Sequence, residues 1–383
     1  MVGVSLGLTY KKLSCKAVAT RKAILRTLKL LIIGLFLQGG FLHGLNDLSY
    51  GVDMTQIRWM GILQRIAVGY LVGAMCEIWL KGDNHVTSGL SMLRKYRFQW
   101  GAVVILVSLY LSLLYGLYVP DWEYQIPVAA SSSSPKIFQG ELLISLKAIY
   151  LQYFTNATVG NLYPIDSSVI DMVHFLSKVK CGVRGTTGPA CNAVGMIDRT
   201  ILGIHHLYRR PVYARTKTCS INSPDNGPLP PDAPSWCQAP FDPEGLLSSV
   251  MAVVTCLVGL HYGHIIVHFK EHKDRILHWM VPSTCFVVLG LVLDLSGMHV
   301  NKALYTFSYM CVTAGAAGIV FTGIYILVDV FGFRRPTLVL EWMGKHALMI
   351  FILATTNVLP VILQGFYWKQ PGNNILRLIG IGR

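Results

Sequence analysis

Leu246-Leu-Ser-Ser-Val-Met-Ala-Val-Val-Thr-Cys-Leu-Val-Gly-Leu-His-Tyr-Gly-His-Ile-Ile-Val-His268 decides how this chain is read. The stretch contains no Asp, Glu, Lys or Arg. As a helix it rises ~34 Å, at about 1.5 Å per residue, enough to cross the hydrocarbon core of a bilayer. Lys270, Lys273 and Arg275 then interrupt the apolar run, and a second block follows over 276–294. Two apolar blocks hinged on a short basic loop form a membrane hairpin with its loop on the cytosolic side.

Working outward from this hairpin, the same pattern repeats along the chain. Apolar blocks at 24–42, 60–80, 99–119, 304–330 and 338–364 complete a set of about seven spans. Of the 383 residues 53% are hydrophobic and only 14% charged, where a soluble domain carries about 25%. Lys and Arg fall in alternate loops. Lys11, Lys12, Lys16, Arg21 and Lys22 precede the first span, Lys81, Arg94, Lys95 and Arg97 follow the second, and Arg334 and Arg335 precede the last. The loops 43–59 and 295–303 hold only Arg58 and Lys302. The expected fold is therefore an all-α polytopic transmembrane bundle with its basic loops in the cytosol. The net charge of +14 is spent on topology and on anionic head groups, not on a nucleic-acid footprint, because it lies between apolar blocks. The apolar run Val2–Leu8 precedes Lys11 and Lys12, the reverse of a signal peptide, and reads as the tail of a helix begun upstream.

Three regions result: 1–119 with three spans and a partial leading helix, a loop domain at 120–245, and 246–383 with four spans. The loop domain lies on the lumenal side and carries Cys181, Cys191, Cys219 and Cys237. Four cysteines on an oxidising side imply two disulfides, in any of three pairings. Within this region 139–177 differs in character. Its apolar part is interrupted by Lys147, and a crossing here would invert every later loop, so it stays lumenal. Asn156-Ala-Thr158 fits a glycosylation acceptor. No internal repeat of the transporter type is visible.

Polar residues inside spans carry the chemistry, because bilayers penalise them. Gln64 and Arg65 lie about one turn inside a lumenal span end, where a guanidinium either snorkels or grips a carboxylate or phosphate. Asp242 and Glu244, in Phe241-Asp-Pro-Glu-Gly245, cap the following helix or form a carboxylate pair at the mouth of a lumenal cavity. Asp198 and Arg199 read as a local ion pair or a polar site, and Asn301 and Lys302 as a helix-entry signal. His261, His264 and His268 share one helix face, expected to be an interfacial polar stripe rather than a metal or haem site. No Walker loop, Gly-x-Ser-x-Gly or His-Glu-x-x-His occurs, and no metal site is assigned.

Arg58-Trp-Met-Gly-Ile-Leu-Gln-Arg65, Gly195-Met-Ile-Asp-Arg199 with His206-Leu-Tyr208, Asp242-Pro-Glu-Gly245, and Val300-Asn-Lys302 leading to Ser308-Tyr309 together resemble the heparan-alpha-glucosaminide N-acetyltransferase family, in its plant-type branch. The match covers most of the chain outside 139–177. The resemblance implies a membrane acetyltransferase that takes acetyl-CoA from the cytosol and acetylates a lumenal amino sugar. It places Gln64 and Arg65 in the cofactor and active-site cavity and Asp242 and Glu244 on the acceptor side, with Asp198, Arg199, Asn301 and Lys302 as further candidates. It also implies a multi-pass protein of lysosomal, vacuolar or other endomembranes rather than the plasma membrane; a homo-oligomer is a further expectation, independent of the resemblance. The family's catalytic histidine precedes the segment corresponding to Val2–Leu8, so no histidine here receives that role. Segment 139–177 interrupts the match, the chain ends short of the family's last span, and Lys345-His346 stands where the family has an asparagine. On this reading the chain as written is an inactive form. A small-molecule transporter and an inactive accessory subunit are the alternatives.

Overall fold

The computed structural model describes residues 2–11, 15–38, 54, 57–82, 86, 88–126, 175–208, 212–221, 229–333, 335 and 337–355. The glycosylation triplet at Asn156, Arg334 and nearly all of 139–177 lie outside the described residues.

Helices dominate. They are α1 (Val2–Thr9), α2 (Lys16–Gln38), α3 (Ile62–Trp79), α4 (Gly89–Lys95), α5 (Arg97–Gly116), α6 (Ala193–Leu202), α7 (Leu246–His268), α8 (His272–Leu295), α9 (Phe307–Tyr325), α10 (Leu338–Lys345) and α11 (Ala347–Thr355). Among the described residues, α3, α5, α7, α8 and α9 with its continuation to Val330 are long and apolar enough to cross a membrane. The expected first span, 24–42, falls on α2, which starts at Lys16, takes in several basic residues and is not among these helices. The expected last span is broken at His346 into α10 and α11, and 356–364 fall outside the described residues. Val104 and Ile105 of α5 and Val288, Leu291 and Val292 of α8 point outward and stay exposed. Apolar side chains in that position find their solvent in lipid.

The chain divides into two compact units. The first takes 1–112, 201–207 and 243–383, and so holds the membrane helices. Helix α1 packs on α7, α2 on α3, and α8 on α9. The α1–α7 crossing is made by glycines spaced four apart, Gly3 and Gly7 against Gly259 and Gly263, which lets backbones touch as small residues do in membrane bundles. A Cβ on Gly263 would lie 2.7 Å from the Val4 carbonyl oxygen, which is backbone and cannot swing aside. Gly263→Val is therefore expected to cost ~1–3 kcal/mol by overpacking. Thermal unfolding of the detergent-purified protein should show this loss. Gly101→Val, whose Cβ meets nothing within 4 Å, should melt like the parent.

The second unit takes 113–200 and 208–242. It contains a two-stranded antiparallel sheet that the all-α expectation did not include, β1 (Trp122–Ile126) paired with β2 (Phe175–Val179). Ile126 faces Phe175, so residues 127–174 depart from one strand and return to its neighbour. Tyr124, Val179, Ala190 and Ala239 form a small core with Trp122 and Trp236 beside it. So small a core needs covalent support. The bridges are Cys181–Cys191 and Cys219–Cys237, with Cα separations of 5.5 and 5.4 Å. Non-reducing peptide mapping should recover these two linked pairs, and a crossed pairing would contradict the fold of this unit.

Candidate functional site

In the membrane unit, four separated stretches meet at the end of the helices away from the basic loops. Arg58 donates to Glu244 Oε2 at 2.5 Å, both side chains being largely buried. The imidazole Nδ1 of His206 donates to the Ile57 carbonyl at 2.7 Å, and the His206 ring lies 5.4 Å from that of Trp59. Arg65, on the first turn of α3, donates through one nitrogen to the Pro243 carbonyl and, at 2.6 Å, to Ser248 Oγ. Its guanidinium lies 5.3 Å from the centre of the Tyr305 ring. Arg65 therefore turns inward and clamps α3 to the start of α7, where the sequence allowed either snorkelling or anion binding.

Local sequence explains how these groups are held. Helix α7 begins at Gly245, which caps it without a side chain, so Asp242 is not the cap that its position suggested. Ser248 and Ser249 instead return their hydroxyls to the Gly245 carbonyl, at 3.0 and 2.7 Å. Pro243 precedes the first turn and leaves its carbonyl for Arg65. Before α9, Asn301 Oδ1 accepts the backbone N–H groups of Ala303 and Leu304 and so folds the turn that delivers Tyr305. Tyr305 sits at φ 54°, a left-handed conformation that a tyrosine adopts only under constraint. Its hydroxyl is 3.1 Å from Thr255 Oγ1 and its ring faces Arg65, which supplies the constraint. Lys302 is exposed.

Gln64 precedes Arg65 but points to another face of α3. Its side chain is 1% exposed, and neither Oε1 nor Nε2 has a hydrogen-bond partner among the described residues. Oε1 would lie 2.6 Å from a Cβ on Gly34 of α2, so the amide occupies space that Gly34 leaves. A buried carboxamide without partners costs roughly 1–3 kcal/mol.

Asp198, Arg199 and Asp242 belong to the other unit. Arg199 lies on the face of Trp122 at 3.7 Å, and burial lowers its pKa to about 10. Asp198 is fully buried and acts on Arg199 electrostatically. Asp242 is fully buried as well.

At the basic end of the membrane unit lies a group that the sequence reading did not single out. Glu77, on the last turn of α3, is 1% exposed. Its carboxylate accepts from Lys81 Nζ at 3.2 Å, Gln99 Nε2 at 3.0 Å and His264 Nε2 at 2.7 Å. The Tyr96 ring stacks on His264 at 3.6 Å, and its hydroxyl is 3.0 Å from His268 Nε2. His261 packs edge-on against Trp100. The three histidines of α7 thus take three different partners, and the middle one is sealed in the core instead of forming an interfacial stripe. A lone acidic residue near a helix end, with a lysine four residues on, reads as an ordinary surface pair. Its partner lies 187 residues away in sequence.

No family model matches the chain. It is 25% identical over 172 residues to the heparan-alpha-glucosaminide N-acetyltransferase of Mus musculus, covering 43% of this chain and 23% of that protein. It is 26% identical over 195 residues to the protein of that name from Homo sapiens, covering 48% of this chain and 26% of the relative. The matched part spans about a quarter of the length of these curated relatives. Both similarities support a family relationship with a membrane acetyltransferase, in agreement with the motifs quoted above.

Proposed function

We propose that this chain forms the membrane part of an N-acetyltransferase that carries acetyl groups from acetyl-CoA on the cytosolic side to an amino-sugar or other small amine on the lumenal side. One observation carries the reading. The stretches that bear the resemblance converge, through Arg58, Arg65, His206, Glu244 and Tyr305, in one polar group at the lumenal end of the helices. Structural cation–carboxylate pairs do occur in bundles, but here Arg58 and Arg65 come from one motif of the resemblance, His206 and Glu244 from two others, and Tyr305 lies between Lys302 and Ser308 of the fourth.

In this reading Gln64 is the donor-side contact. Its buried carboxamide fits the amide-rich arm of acetyl-CoA, offering a donor and an acceptor that the described residues leave unused. When bound, acetyl-CoA supplies an activated thioester. Arg65, fixed by Pro243 and Ser248 next to the Arg58–Glu244 pair, serves the acceptor side. The resemblance gives its catalytic role to no histidine of this sequence. His206, His264 and His268 are engaged with Ile57, Glu77 and Tyr96 and are given no such role. Arg199 on Trp122 and the buried Asp198 and Asp242 shape the lumenal unit. Asn301 acts through the turn that places Tyr305, and Lys302 offers a cation to solvent. The compartment is an endomembrane, and homo-oligomers fit the same reading.

Acetyl-CoA at 100 times its Kd should raise the stability of the purified protein by about 2.7 kcal/mol. Gln64→Leu should melt above the parent without ligand, because it removes an unpartnered buried amide, yet lose most of the ligand-induced rise. A rise of equal size in Gln64→Leu would remove Gln64 from the donor site.

A further inference from the structure

Between α4, α5, α7 and α8 the membrane unit holds a cavity of about 410 Å³ that the proposed acetyl transfer does not use. Ligand pockets run from about 300 to 1,000 Å³, and an apolar void of about 150 Å³ already takes benzene. Met92 of α4, Trp100 of α5 and Val258 of α7 line it together with Leu277, Val281 and Phe286 of α8. Walls of this kind gain by taking up hydrocarbon and hold no ordered water. The mouth shows from which side the cavity is filled. Leu277 and Val281, one turn apart on α8, are 59% and 53% exposed, and Leu93 of α4 is 45% exposed. Such side chains on membrane helices meet lipid tails, so the cavity opens toward the bilayer.

Polarity changes along the length of this slot. Helix α8 leaves the basic loop and enters the membrane, and Leu277 to Phe286 covers about 13 Å of it. At the shallow end lie the imidazoles of His278 and of His261, the latter edge-on against Trp100. An imidazole always carries at least one N–H, a donor suited to the ester carbonyls of a lipid. The deeper wall, with Val258 and Phe286, is hydrocarbon. Shallower still, the α4–α5 junction carries Arg94, Lys95 and Arg97, with no carboxylate between Gly89 and Phe98. Arg94 and Arg97 are exposed. The α7–α8 loop instead sets Glu271 and Asp274 against Lys270, Lys273 and Arg275. The excess of positive charge therefore lies on the α4–α5 side of the mouth.

We infer that this cavity binds one acyl chain of an anionic phospholipid of the cytosolic leaflet, whose head group rests on Arg94 and Arg97. Cations over an apolar slot between membrane helices, on the cytosolic side, are the arrangement that selects anionic lipids. Each such cation favours an anionic head group about fivefold, and two about thirtyfold. The chain enters between Leu277 and Val281 of α8 and Leu93 of α4 and ends against Phe286. The site stands whether or not the protein transfers acetyl groups.

The test is photolabelling of the whole protein in phosphatidylcholine vesicles that contain a small fraction of phosphatidylserine with a diazirine in one acyl chain. Peptide mass spectrometry reads the labelled residues. Labels should concentrate on Trp100 and Val258 of the cavity rather than on Val104 and Val288, which meet lipid elsewhere on α5 and α8. Arg94→Gln/Arg97→Gln should lower the cavity labelling at least about fivefold, and phosphatidylcholine bearing the same diazirine should label the parent as weakly. Leu277→Trp/Val281→Trp narrows the mouth at exposed positions, so it should melt like the parent and take less label. Excess acetyl-CoA should change nothing. Labels spread evenly over the cavity, Val104 and Val288 would overturn the site. Equal labelling by the phosphatidylcholine probe, or by the serine probe in Arg94→Gln/Arg97→Gln, would overturn the anionic head group. Unchanged labelling in folded Leu277→Trp/Val281→Trp would overturn the entry route. Loss of label on adding acetyl-CoA would give the cavity to that donor and overturn the lipid assignment, while leaving the proposed acetyl transfer intact.

Discussion

His264→Leu should destabilise the membrane unit by about 3–5 kcal/mol, the usual consequence of leaving one partner of a buried pair without the other. The carboxylate of Glu77 keeps Lys81 and Gln99 but loses its shortest bond, at 2.7 Å, while remaining 1% exposed. Glu77→Leu should also destabilise, because Gln99 and Lys81 lose their acceptor. The double variant, which removes both polar groups, should be more stable than the two single losses predict. The difference from additivity should be about 1–3 kcal/mol. Thermal or denaturant unfolding of the four proteins in one detergent measures it. Additive losses would show that Glu77 and His264 do not act as a pair.

The second large effect is on catalysis. On the proposed function, Arg65→Ala should lower kcat/KM for acetyl transfer about 100-fold or more, in the range found when one preorganised charged donor is removed from a site. The guanidinium has a hydroxyl, a carbonyl and a ring face arranged around it, all positioned by backbone. Nothing else described can replace it there, since Arg58 is taken by Glu244. Arg65→Lys keeps the charge but loses the planar fork, so it should recover only part of the rate. Assays run well below the melting temperature separate this loss from the ~1–3 kcal/mol cost of leaving the Pro243 carbonyl unpaired. Full activity in folded Arg65→Ala would exclude the acceptor-side role.

How far the sequence reached follows from what each residue depends on. Apolar blocks are local signals, so α3, α5, α7, α8 and α9 were legible, as were two disulfides among the four loop cysteines. The pairing of those cysteines depends on which strands meet, and β1 and β2 are separated by 48 residues that the chain numbering alone does not place. Asp242-Pro-Glu-Gly245 carries the composition of a helix start. The cap nevertheless falls on Gly245, because Ser248 and Ser249 satisfy its carbonyl and Arg65 takes that of Pro243. The polarity of Arg65 pointed to a site, but its neighbour Tyr305 did not stand out, since an aromatic before a span is common at a membrane interface. Glu77 was the largest omission. Its significance rests on His264 and Gln99, from two other helices, and neither spacing nor composition connects them.

The most direct test of the account is acetyl transfer across sealed vesicles made from the protein purified from its own membranes. Labelled acetyl-CoA is supplied outside and glucosamine inside. The account predicts labelled N-acetylglucosamine in the interior, dependent on the external donor and strongly reduced by Arg65→Ala in recombinant copies of the same form. Movement of unmodified glucosamine without acetyl-CoA, and no labelled product, would contradict it and make the chain a transporter.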